Sequence, residues 1–146
     1  MIVVRLVLDT DAIVAAMRSP RGASAALLVA AQSVKVTLVL SVPLAMEYEA
    51  ICSQPEHQTA AGLSVEEALQ FVTAVIALAE PISIHYLWRP KLRDPNDEMV
   101  LEVAVNGRAD AIVTFNKKDY GCVPNEFGVE VLLPAEAIRR VYHDQD

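Results

Sequence analysis

Residues 2–8 read Ile-Val-Val-Arg-Leu-Val-Leu, a nearly unbroken apolar run rich in β-branched side chains that ends on Asp9-Thr10-Asp11. A strand with one face in water alternates apolar and polar residues. A run without alternation is the pattern of a parallel strand covered on both faces. This constrains the fold more than any other feature, because parallel neighbours must be joined by crossovers, usually helical ones. The rest of the chain has room for them. Helices are expected at 11–18 and 22–33, separated by the Ser-Pro-Arg-Gly break, and a second buried strand, Val-Thr-Leu-Val-Leu, at 36–40. A helix with proline in its first turn follows at 43–53, and another at 64–79 with Ser64 and Glu67 placed as a capping box. A short strand is expected at 81–86 and a helix at 96–106 closed by Gly107, then strands at 111–114 and 129–132 and a last helix at 134–141. Strands alternating with helices imply an α/β fold, a three-layer α/β/α sandwich around a central parallel sheet. The 146 residues form one domain spanning 1–146, without repeat or linker.

Such sheets gather their chemistry just beyond the carboxyl ends of the strands. Asp9 and Asp11 follow the first strand; Asn116 and Asp119 follow the strand at 111–114. Helical phase sorts the remaining acids. Glu47 lies beside Leu44 and Ile51 while Glu49 points away, and Asp97 lies over Leu101 and Ala104 while Glu98 and Glu102 take another flank. Glu47 and Asp97 therefore face the protein, where a charge needs a partner. Each acid also has a plain structural role available. Asp9 can cap a helix, Asp11 can sit in a first turn favoured by the helix dipole, and Asp94 before Pro95 reads as a cap.

Charge narrows the function classes. The chain carries 12 Lys plus Arg against 19 Asp plus Glu, a net charge of −7, which argues against passive coating of nucleic acid by counterion release. It does not argue against a nuclease, whose carboxylates hold metal. Cys52 and Cys122 with His57, His85 and His143 show no zinc-ligand spacing, and a reduced, cytoplasmic protein is the natural expectation. No uncharged apolar run approaches the roughly 18 residues of a membrane helix, and the charged start does not read as a signal peptide.

Carboxylates from the first strand, two inward helix faces and the end of a later strand would repel one another in a single cleft and raise one another's pKa. A hard divalent cation, Mg²⁺ or Mn²⁺, relieves this, and metal-activated water attacking a phosphodiester is then the economical chemistry. Three basic groups are available for phosphate: Arg18 and Arg21 around the first break, Lys117 and Lys118 after the fourth strand, and Arg89, Lys91 and Arg93 before Asp94. The first two groups are favoured as substrate contacts by their position near the cleft rim. Trp88 is expected to be buried.

The run Leu8-Asp9-Thr10-Asp11 with Ala-Ile-Val-Ala-Ala-Met-Arg-Ser-Pro-Arg-Gly after it resembles the opening of PIN-domain proteins, which usually read Asp-Thr-Asn. The resemblance continues through Pro43-Leu-Ala-Met-Glu47-Tyr-Glu-Ala-Ile, Asp94-Pro-Asn-Asp97-Glu and Ala109-Asp-Ala-Ile-Val-Thr-Phe-Asn-Lys-Lys-Asp119-Tyr, in order along nearly the whole chain. The subgroup it most resembles is the PIN-family toxins of bacterial toxin–antitoxin systems. This implies a Mg²⁺- or Mn²⁺-dependent endoribonuclease for single-stranded RNA, a homodimer, and inhibition by a cognate antitoxin. By motif position the acids are Asp9, Glu47 and Asp97. The usual fourth acid, in Thr-x-Asp, falls on Asn116, and a variant supplies it three residues later at Asp119. Catalytic candidates are thus Asp9, Glu47, Asp97, Asp119 and Asn116, the four acids among them being the metal ligands.

Two other readings stand beside this one. A non-catalytic PIN or receiver-like module would use paired acids, Thr114 and Lys117 for binding alone. A haloacid-dehalogenase-type phosphatase would use Asp9 and Asp11, but Ala12 and Ile13 follow and no late Gly-Asp pair exists.

Overall fold

The computed structural model describes residues 3–85 and 91–143. The first strand, β1 (Val4–Leu8), runs into helix α1 (Thr10–Arg18), and α2 (Ala23–Gln32) leads to β2 (Val36–Leu40). Three helices follow: α3 (Val42–Cys52), α4 (Pro55–Ala61) and α5 (Val65–Leu78). Beyond β3 (Glu80–Pro81) come α6 (Pro95–Asn106) and β4 (Ala111–Val113). Two one-turn helices, α7 (Lys117–Tyr120) and α8 (Val123–Glu126), precede β5 (Glu130–Leu132) and α9 (Pro134–His143).

Among the described residues the five strands are all parallel, in the order β3-β2-β1-β4-β5. Leu6 and Val7 of β1 and Ile112 and Val113 of β4 have no exposed surface, as unalternating runs require. From β1 the chain steps outward to β2 and β3, then jumps back past β2 and β1 to β4. Right-handed crossovers put the helices of the two directions on opposite faces, so α6, packed on β1, β2 and β4, covers the side away from α1. The result is the three-layer α/β sandwich. The direction of winding reverses between β1 and β4, and a crevice opens there beyond their carboxyl ends.

Local chemistry explains most boundaries. Asp9, Ser41, Ser64 and Asp94 cap α1, α3, α5 and α6 through their side chains, and Ser64 and Glu67 complete the capping box. One expectation needs correction, and one helix had none. The strand expected at 81–86 is, among the described residues up to 85, only Glu80–Pro81: Pro81 has no N–H to give a ladder and sits on an edge strand. Helix α4 lay unassigned because it buries no residue and so shows no apolar period; Pro55 at its start and Gly62 (φ 72°) after its end are its only signals. Trp88 and Arg89 lie outside the described residues. Among the described residues, no single helix is long and apolar enough to cross a membrane.

Candidate active site

Asp9 ends β1 at the winding reversal. Its N–H closes on the Val113 carbonyl at 2.9 Å, which fastens the strand end to β4. Oδ1 accepts from the Thr10 N–H at 2.7 Å, and Oδ2 accepts from the Thr114 and Tyr120 hydroxyls at 2.9 Å each. Burial raises the Asp9 pKa; these donors oppose the rise and the charge of Asp119 adds to it. Capping and function are therefore not alternatives for this residue, since one oxygen caps α1 while the other is held toward the crevice wall.

Asp11, in the first turn of α1, reaches across to the end of β4. Its Oδ2 accepts from the Phe115 N–H at 3.1 Å, the Asn116 amide at 3.0 Å and the Thr114 hydroxyl at 3.3 Å. The Thr114 hydroxyl has one proton, and its shorter contact is with Asp9. The other oxygen, Oδ1, is buried and has no hydrogen-bond partner among the described residues. Burial first, then the charge of Asp9, pushes Asp11 up to about 6.

Asp97 lies in the first turn of α6, which Asp94 caps through the Asn96 N–H at 2.8 Å. Only 8% exposed, it is raised to about 6 by burial and then by Asp9, Asp94 and Asp119, with the Tyr120 hydroxyl working in the opposite direction. Glu47 is half-buried on α3. Its neighbour Tyr48 is buried and donates its hydroxyl to the Leu8 carbonyl, which pins this helix to the end of β1. The turn after Asn116 does continue as helix: Asp119 N–H bonds the Asn116 carbonyl at 3.1 Å, and both side chains line the crevice.

Asp9, Glu47, Asp97, Asn116 and Asp119, with Asp11, thus line one cleft of about 320 Å³. The basic candidates scatter. Arg18 stands 3.4 Å from Nδ1 of His57, which does line the cleft, and Arg21 is exposed beyond α1. Lys117 is paired with Glu136 and lines neither this cleft nor the next, whereas Lys118 lines the neighbouring one. Sequence reasoning missed the Tyr120 hydroxyl, His57 and the reach of Asp11. It also put Glu98 on another flank from Asp97 and gave it no task, whereas Glu98 is buried against the segment before α6. A tyrosine following Asp119 gave no polar signal because its ring is 1% exposed and its function lies in one oxygen.

A family model described as PIN domain matches residues 5–118. The chain belongs to the PIN-domain family. No curated protein and no solved structure matches it. PIN domains are generally nucleases and generally use divalent metals. The matched span of this PIN domain contains Asp9, Glu47, Asp97 and Asn116 and stops one residue short of Asp119. The donor set suits a hard cation in kind: oxygen donors only, with Asp9, Asp11 and Asp97 holding their protons more tightly than usual because of burial and then of one another's and neighbouring charge. It is open in spacing, because among the described residues no three acidic, histidine or cysteine side chains are grouped closely enough to hold a metal ion.

Proposed function

We propose that this PIN domain is a Mg²⁺- or Mn²⁺-dependent endoribonuclease acting on single-stranded RNA, and that it is the toxin of a toxin–antitoxin pair. One observation carries the nuclease reading: Asp9 after β1, Asp97 of α6 and Asp119 of α7 line a single cleft at the winding reversal, where burial first and neighbouring carboxylates second raise the pKa of Asp9 and Asp97. Asp9, Glu47, Asp97 and Asp119 would hold the cation, which when bound supplies charge stabilisation at the phosphate and a more acidic water. Thr114 and Tyr120 keep Asp9 fixed in orientation, and Asp11 ties the residues after β4 to α1, so that Asn116 is held at the cleft wall. Asn116 can orient a water through its carbonyl oxygen while its amide is committed to Asp11.

A second subunit is supported by apolar surface in the helical layer. Helix α2 is apolar nearly all round, and Val29 is 57% exposed. An antitoxin would inhibit most directly by placing an arginine among the carboxylates, where charge-assisted pairs replace the cation. The open spacing of the acids favours one competing reading, a PIN module that binds without turnover. Purified chain incubated with unstructured RNA and Mn²⁺ separates the two. Cleavage abolished by EDTA and by Asp9→Asn is the expected result; intact RNA at high enzyme concentration leaves the binding module.

A further inference from the structure

A second cleft of about 480 Å³ adjoins the acidic one and shares Asp94, Asp97 and Asp119 with it. Its other wall carries Lys91, Arg93 and Lys118, all exposed. Among the described residues the ion pairs engage other cations, namely Arg5, Lys117 and Arg140. Lys91 and Arg93 also have a fixed base. The buried carboxylate of Glu98 accepts the N–H groups of Lys91 and Leu92 at 3.0 and 2.8 Å, which docks this segment on α6. Glu98 directly follows Asp97, and Lys118 directly precedes Asp119. Two elements therefore each carry an acid for one cleft and a cation, or its anchor, for the other.

An acidic cleft on a chain of net charge −7 repels a polyanion. A nuclease built this way needs a local attraction beside the cutting position, close enough to steer the strand and far enough not to neutralise the acids. We propose that the second cleft is a phosphate-binding subsite, in which Lys91, Arg93 and Lys118 hold the backbone of single-stranded RNA on one side of the bond that the acidic cleft cuts. The subsite rests on the nuclease reading for its purpose, and it positions the strand without reading its bases.

The test is fluorescence anisotropy of a labelled oligouridine with the full chain in EDTA, where no cleavage competes, across a series of salt concentrations. Each phosphate contact to a single strand adds about 0.7 to the slope of log Kobs against log salt. The triple variant Lys91→Ala/Arg93→Ala/Lys118→Ala is expected to lose roughly 2 from that slope and to bind at least about tenfold more weakly at low salt. Exchanging the cations instead (Lys91→Arg, Arg93→Lys, Lys118→Arg) should keep the slope. Lys117→Ala removes one charge from the same helix, as Lys118→Ala does, yet from a side chain paired with Glu136, and should leave the slope unchanged. An unaltered Mn²⁺-induced rise in melting temperature in the triple variant would show that its fold and acidic cleft survive.

A triple variant with the wild-type slope overturns the subsite, as does a Lys117→Ala loss equal to that of Lys118→Ala, or a wild-type chain that binds no RNA. Metal-dependent cleavage with a slope insensitive to these residues defeats the subsite and leaves the nuclease standing. A slope that depends on them without any metal-dependent cleavage does the reverse.

Discussion

The two ends of β1 carry charge in opposite ways. Near its start, Arg5 meets Glu80 at 2.6 Å and the Gly107 carbonyl at 2.8 Å, while its backbone N–H bonds the Asp110 carboxylate at 2.8 Å. Each formal charge there has an opposite partner or a polar one, and Arg5 holds Glu80 below its usual pKa. Beyond its end, Asp9 faces Asp11, Asp97 and Asp119, and every resolved shift among these runs upward. Matched charge around Arg5 serves the fold. Like charge around Asp9 costs stability, and such crowding persists where function requires it.

The strongest way to break this contrast is to remove one of the crowded acids. Asp9→Asn or Asp97→Asn should lower metal-dependent RNA cleavage by on the order of a hundredfold or more and abolish the Mn²⁺-induced rise in melting temperature. If both variants respond to Mn²⁺ as wild type does, the acids do not form a cation site. The pH dependence should separate the two ends as well. Folded Asp11 and Asp97 near 6, against an ordinary 3.8, hold their protons more tightly than the unfolded chain does. Their contribution to metal-free stability is therefore full below about pH 4 and is lost as pH rises through about 6. Glu80, shifted downward, contributes in the opposite sense: its share is present at neutral pH and disappears on acidification. The rise in melting temperature with Mn²⁺ should accordingly be larger at about pH 7.5 than at about pH 5; equal rises would mean that these carboxyls do not take part.

Next in size is the support of Asp9. Tyr120→Phe keeps the buried ring and deletes one of the two hydroxyls on Oδ2, and should cost about 1–3 kcal/mol in urea unfolding at neutral pH. A loss near zero would show that water replaces the hydroxyl. Asp119→Asn should reduce cleavage by more than about tenfold with the fold intact, Asn116→Ala by less, and Asn116→Asp should preserve or raise it, since the charge then sits nearer the strand end. Wild-type cleavage by Asp119→Asn would leave a site of three acids. The smallest effect belongs to the matched end. Arg5→Ala should cost up to about 1 kcal/mol for its half-exposed pair and leave the Mn²⁺ response unchanged.

Much of this was legible beforehand, for reasons that are local. Buried strands announce themselves as unalternating apolar runs, and caps such as Ser64 with Glu67 lie within one turn of the groups they satisfy. Helical phase alone turned Glu47 inward and Glu49 outward, as the structure has them. Helix α4 escaped because it buries nothing, and periodicity is a record of burial.

By itself, the sequence determined the buried strand runs, the alternation of strands with helices and the inward acids, because each follows from residues a few positions apart. Only the tertiary structure decided what those acids touch. The contacts of Asp9 and Asp11 with Thr114, Asn116 and Tyr120 span more than a hundred residues. They exist because the sheet order sets β4 beside β1, and no spacing in the chain encodes that neighbourhood. The same placement explains why Lys117 and Lys118, adjacent in sequence, part company. One turn of helix sends the first to Glu136 and the second to the cleft beside Asp97, a choice made by packing rather than by composition.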